Sequence, residues 1–206
     1  MTNRLQGSIG YLAGAMDRLE CRGAAWRRNM TDFLWNLNTG SFNPCDKPMD
    51  WGIENEDSRQ WRIEALKTAG KLYDEEHFHE SFKICEAVHA QMRDIVASDF
   101  RGVDKADFVI LNIDLEVHAC GSYNEQTTAC LQRKPVIVRC EQGKFNVPHW
   151  LWGICQHEMF FSTWNEVKAY IEHIAFDDNI NHLKRWRFFD FKKIYGRNVF
   201  SLDKGV

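Results

Sequence analysis

No apolar run in this chain approaches the roughly 20 residues that a membrane-spanning helix needs, so an integral membrane protein is not expected. The opening residues, MTNRLQGSIGYLAGAMD, hold no apolar region long enough for a secretory signal, and the expected compartment is the cytoplasm. No Cys-x-x-Cys pair occurs among the seven cysteines, Cys21, Cys45, Cys85, Cys120, Cys130, Cys140 and Cys155. An odd number at irregular spacing argues against a disulfide framework and fits a reducing compartment. Neither sign of charge dominates: 26 Lys and Arg stand against 29 Asp and Glu, for a net charge of -3. The chain as a whole lacks the basic surface that nucleic acid or an acidic membrane would require, and neither is an expected partner. Internal repeats and low-complexity stretches are absent. So is any Walker motif, which argues against phosphoryl transfer. Gly10-x-x-x-Gly14 lacks the spacing of a dinucleotide fingerprint, which argues against a dehydrogenase.

What is present is an ordinary globular composition, 44% hydrophobic and 27% charged over 206 residues, enough for one domain with a sizeable core. Residues 8–13 read as a short buried strand that presents Tyr11 and ends at Gly14. Trp26, Met30, Phe33 and Leu37 recur at helical spacing over 24–37, and residues 41–44 read as a second strand running into a Pro turn. A polar loop covers 45–56. The pattern over 57–97 is helical, with Asp57 or Ser58 as N-cap and a break expected between 70 and 76. ADFVILNID, at 106–114, is the clearest buried strand, KPVIVR at 134–139 is another, and 159–161 is a short third. Residues 123–132 form a natural crossover helix between the first two. Thr163 and Glu166 have capping-box spacing and open a helix over 164–174.

Strands alternating with helices, the strongest of them apolar throughout, predict an α/β fold: a flavodoxin-like or Rossmann-like parallel sheet of about five strands with helices on both faces. The domain is expected over 1–176, with an aromatic and basic C-terminal extension over 177–206 that packs on its own domain or a neighbouring subunit, or stacks on nucleic acid. In such sheets ligands bind at the carboxyl ends of the strands. Here that selects the ends at Tyr11, Asp114 and Arg139.

Past the central strand the chain reads DLEVHACGSYNE (114–125), and Glu125 falls in the expected first turn of the next helix. A carboxylate there is favoured as the anion by the helix N-terminus and suits a nucleophile, or is an ordinary helix-start glutamate. Asp99 sits at the expected junction between the long helical region and the central strand, as a second carboxylate or as a turn residue. His77 and His79 lack a companion cluster and read as solvated helix histidines rather than metal ligands.

Four stretches together resemble the nucleoside 2-deoxyribosyltransferase family: YLAG at 11–14, Asp99 ahead of the AD-strand-D segment, GSYNE at 121–125 as a variant of Gly-Thr-x-x-Glu, and KPVI at 134–137. The resemblance spans roughly 9–174. It implies an enzyme that cleaves or transfers at the N-glycosidic bond of a (deoxy)nucleoside or its 5'-monophosphate, without cofactor or metal. It further implies a small-molecule nucleoside or nucleotide as partner and a homo-oligomer. Small members of this kind resemble phage-encoded nucleotide-pool enzymes. Carried onto this chain, Glu125 would attack the anomeric carbon, Asp99 would manage the proton on the leaving base, and Tyr11 would hold the nucleophile. Gly14, Asp17, Gly121 and Ser122 would border the substrate. Arg27 or Arg28 would contact a phosphate or face solvent, and Asp114 would touch substrate or cap the turn. Ser162 would join a shared phosphate site or serve as an N-cap. The chain departs from the family pattern at His118-Ala119-Cys120, where transferases carry an acidic residue. Two further readings stay open: an NAD or nucleotide glycohydrolase of signalling or defence type, marked by a larger pocket, and a non-catalytic nucleotide-binding module.

Overall fold

The structure, a computed structural model, describes residues 3–16, 19, 21–46, 56–176, 185 and 186. In chain order these form β1 (Ile9–Gly14), α1 (Ala24–Asn36), β2 (Gly40–Phe42), α2 (Glu56–Lys71), α3 (Phe78–Lys105), β3 (Phe108–Ile113), α4 (Cys120–Leu131), β4 (Val136–Cys140), α5 (His149–Ile154), β5 (Phe160–Phe161) and α6 (Trp164–Phe176). Among the described residues the five strands make one parallel sheet in the order β2-β1-β3-β4-β5, the flavodoxin-like arrangement. No helix among the described residues is long and apolar enough to cross a membrane.

Side chains alternate across a strand, so an apolar strand feeds two cores at once. Along β3, Phe108 and Ile110 enter a core with Leu12, Met30 and Leu34 and with Val167 and Ile171 of α6. Val109 and Leu111 enter the opposite core with Tyr11 and Ala13, Val103 of α3 and Ala129 of α4. Each fully buried side chain of this size contributes about 1.5–3 kcal/mol relative to exposure, which is why the chain spends its longest apolar run here. Trp186 completes the first core: it is fully buried, lies 5.4 Å from the Phe108 ring, and donates its indole N–H to the Tyr170 hydroxyl at 2.9 Å.

Helix α2 begins at Glu56, so Asp57 and Ser58 lie inside it rather than at its N-cap, and α5 answers to no expected element. Two other departures from the spacing-based expectation move candidate residues. Helix α3 continues to Lys105 rather than ending near 97, so Asp99 lies inside the helix and not at a junction. Gly102, which weakens a helix on propensity, is favourable here because α3 lies tight on the sheet: a Cβ at this position would stand 2.8 Å from both the Tyr11 and Phe42 rings. Helix α4 begins at Cys120, three residues before the expected start, because the Tyr123 N–H already bonds the Ala119 carbonyl at 3.1 Å. Gly121 and Ser122 therefore form its first turn, and Glu125 sits one turn deeper than the helix-dipole reading placed it. At α6 the capping box forms: Thr163 Oγ1 accepts from the Glu166 N–H at 3.2 Å, and the Glu166 carboxylate accepts from the Thr163 N–H at 2.9 Å. Ser162 Oγ accepts the Lys144 N–H at 3.0 Å.

Strand order reverses between β1 and β3, where Gly14 pairs in register with Asn112. Neighbouring connections leave this point in opposite directions, and that opens a crevice at the carboxyl ends of the two strands.

Candidate functional site

Tyr11 is fully buried on β1, and its side chain faces the α3–α4 layer. Its hydroxyl donates a 2.6 Å hydrogen bond to Oε1 of Glu125, whose side chain reaches inward from α4 and is 8% exposed. Burial raises the Tyr11 pKa far above its ordinary value of 10.0, and the carboxylates of Glu125 and then Asp99 raise it further. The phenol is thus a permanent donor, and it lies close to two carboxylates brought from different helices. Its ring stacks on Phe42 with centroids 5.6 Å apart, and Gly102 leaves room for both rings. Alanine at 102 should force this pair apart and lower stability by about 1–3 kcal/mol, read as a drop in the denaturant midpoint. An unchanged midpoint would show that α3 does not depend on the missing side chain.

The carboxylates open on a cleft of about 260 Å3 at the switch point of the sheet. Gly14, Ala15 and Met16 supply one wall from the end of β1; Met92, Ile95 and Asp99 supply another from α3; His118, Gly121, Ser122 and Glu125 close it from the β3–α4 connection. Gly14 is constrained from below as well. A Cβ there would stand 2.9 Å from Trp26 and 3.3 Å from the Asn112 carbonyl.

Of the residues that spacing and resemblance selected, the structure gathers Tyr11, Gly14, Asp99, Gly121, Ser122 and Glu125 around this cleft. Asp17 is outside the described residues. The remaining candidates lie elsewhere. Asp114 caps its own turn, accepting from the Glu116 N–H at 3.0 Å and from the Gln142 amide at 2.8 Å. Arg28 is exposed, and Arg27, although fully buried, does not line the cleft. The Arg27 guanidinium is spent on carbonyls: Nε bonds Leu12 at 3.1 Å, Nη1 bonds Arg22 at 2.8 Å and Nη2 bonds Gly14 at 2.7 Å. It clamps the carboxyl end of β1 to the loop before α1. Gly23, at φ 67°, makes room for it, since a Cβ there would stand 2.6 Å from Nη1.

Spacing missed the positive side of the cleft. Arg22, Arg59 and Arg62 all line it, the last two one helical turn apart on α2. Arg62 is 7% exposed, and its Nη1 donates to the Gln91 amide oxygen at 3.3 Å. In the sequence both arginines of α2 sit in a polar helix start, where charge ordinarily faces water; only the packing of α2 against α3 turns them inward. The cleft therefore sets two carboxylates against three guanidiniums. Such a set of groups can take a polar ligand carrying negative charge at one end. Among the described residues no group of three or more His, Cys, Asp or Glu is arranged to hold a metal ion.

No family model and no curated protein matches the chain. In fold it is similar to the solved structure of the 2-deoxyribosyltransferase of the psychrotolerant bacterium Bacillus psychrosaccharolyticus, at 15% sequence identity and a TM-score of 0.45, over 80% of this chain and 96% of that one.

Proposed function

We propose that this chain cleaves the N-glycosidic bond of a nucleoside 5'-monophosphate or nucleoside, passing the sugar from the base to Glu125 and then to water or a second base. The observation that carries the reading is the 2.6 Å bond from the buried Tyr11 hydroxyl to Glu125, with Asp99 close to the same phenol inside a switch-point cleft. Breaking such a bond builds positive charge on the anomeric carbon. A fixed carboxylate on the face opposite the base stabilises that charge and traps the sugar as a glycosyl ester. Tyr11 fixes the plane of the Glu125 carboxylate, and because it stays protonated it takes no part in proton transfer. Asp99 delivers a proton to the departing base and recovers one from the incoming acceptor. Of the stretches that resemble the deoxyribosyltransferase family, YLAG, Asp99 and GSYNE contribute Gly14, Asp99, Gly121, Ser122 and Glu125 to this cleft, whereas KPVI does not line it. The modest volume suits one nucleoside unit better than a dinucleotide.

The three arginines support a phosphate on the substrate. Replacing Arg59 by alanine should raise KM for a deoxynucleoside 5'-monophosphate roughly 10-fold or more while leaving the unphosphorylated deoxynucleoside unchanged, the effect of one lost charge-assisted contact. Equal effects on the two substrates would remove the phosphate from the reading. The primary test is chromatography of intact protein incubated with a panel of deoxynucleosides and their 5'-monophosphates, with and without acceptor base. Free base is the expected product, and a new nucleoside in the presence of acceptor identifies transfer. An unchanged panel refutes the reading.

A further inference from the structure

Far along α4 from the cleft, two thiols meet. Cys130, in the last turn of α4, and Cys155, at the end of α5, place their sulfurs 3.6 Å apart although 25 residues separate them in the chain. Between them lies the side chain of Gln126, which is fully buried and donates to Cys130 Sγ at 3.2 Å and to Cys155 Sγ at 3.1 Å. A primary amide has two N–H donors, and here both are spent on sulfur. Neutral thiols are weak acceptors, so burying an amide against them is poorly compensated unless one sulfur carries charge. Arg185 strengthens the same arrangement. Its guanidinium donates to the Cys130 carbonyl at 3.4 Å and the Ile154 carbonyl at 3.5 Å, tying the two cysteine-bearing segments together.

The two sulfurs are not equivalent. The Cys130 thiol is drawn down to about 7 by the hydrogen bond from Cys155, with Gln126 and the Arg185 charge acting in the same direction against burial. The Cys155 thiol is pushed up by that same pairing and by burial. Cys130 also opens on a cavity at the amino ends of the strands, beside Lys134 and Arg185, whereas Cys155 is only 9% exposed. Cys130 is the reachable thiol and the one biased toward the thiolate; Cys155 is enclosed and biased toward the protonated form. This is the division of labour between an attacking and a resolving cysteine.

We propose that Cys130 and Cys155 form a reversible dithiol–disulfide site, with Cys130 as the attacking thiol and Cys155 as the resolving one. The oxidant is a small hydroperoxide. The Cys130 thiolate attacks one peroxide oxygen, the O–O bond breaks, the sulfur becomes a sulfenic acid, and the departing hydroxide takes a proton to leave as water. Cys155 then attacks the Cys130 sulfur, an S–S bond forms, and the displaced hydroxide leaves as water with the Cys155 proton. Two thiols are oxidised and one hydrogen peroxide becomes two waters. The sulfurs need only approach from contact to the bond length of about 2.05 Å. An external dithiol reverses the step by exchange. The site uses Cys130, Cys155, Gln126 and Arg185, and it stands independently of the chemistry assigned to Glu125.

The test treats the full reduced chain with stoichiometric hydrogen peroxide, blocks remaining thiols with N-ethylmaleimide and maps the peptides by mass spectrometry. A peptide linking Cys130 to Cys155 should exceed any other linked pair by about 10-fold, and dithiothreitol should return both thiols. In Cys155→Ser the Cys130 sulfenic acid should persist and be captured by dimedone, and in Cys130→Ser peroxide consumption at this site should fall at least about 10-fold. Linked peptides scattered over the exposed Cys21, Cys85 and Cys120 would overturn the proposal. So would sulfinic acid accumulating at Cys130 of the unmodified sequence without a linked product. Because that arm uses the unmodified chain, the result does not depend on either variant folding.

Discussion

Glu125→Gln should release free base at least about 10^3-fold more slowly than the unmodified chain while unfolding within a few degrees of it. The two outcomes separate because glutamine keeps the shape of the side chain and its amide oxygen still accepts the Tyr11 hydrogen bond. What it loses is the negative charge and the nucleophilic oxygen. Glu125→Ala should be as inactive but also less stable, since it removes the carboxylate that the buried Tyr11 hydroxyl bonds at 2.6 Å and leaves Asp99 as its remaining carboxylate neighbour. Single-turnover chromatography with each variant makes the comparison, and loss of the trapped glycosyl intermediate should accompany loss of rate. Glutamine at this position retaining more than about a tenth of the activity would show that Glu125 only shapes the site. Tyr11 should leave no signature in the pH–rate profile: burial and the neighbouring carboxylates raise its pKa, so it keeps its proton through the working range.

Arg27→Met should lower stability by about 3–5 kcal/mol, the largest loss expected from any single change described above. Methionine replaces the apolar stem of the side chain but none of its donors. The carbonyls of Leu12 and Gly14 would then lose these partners in a buried setting, and that of Arg22 in a half-buried one; Arg27 bonds the three at 2.7–3.1 Å. For a chain of 206 residues this corresponds to a fall in Tm of roughly 10 °C, read by thermal unfolding. Lysine should recover less than half, because a point charge on a flexible stem cannot serve three carbonyls held in a fixed fork. A loss below about 1 kcal/mol would show that water replaces the guanidinium and that the carboxyl end of β1 needs no clamp.

The sequence by itself determined the sheet. Buried parallel strands need continuous apolar runs, so FVILNI and VIVRC declared β3 and β4, and the helical spacing of Trp26, Met30 and Phe33 declared α1. Once those elements are ordered, the rule for open parallel sheets already puts Tyr11 and the segment before Glu125 at one rim. Helix limits were less legible: α3 runs on to Lys105 through Gly102, a residue of low helix propensity that is favourable there because the Tyr11 and Phe42 rings need its space. Only tertiary structure decided where the charges point. Arg27, Arg59 and Arg62 look alike in the chain, as arginines in the opening turns of helices. Packing sends the first to backbone carbonyls and the other two to the cleft wall. The meeting of Cys130 with Cys155 is equally silent in the sequence, since no local spacing pairs them and only the docking of α5 against the end of α4 brings the sulfurs together. Periodicity records which side of an element is apolar; which polar groups meet depends on how far each element runs and what it is packed against.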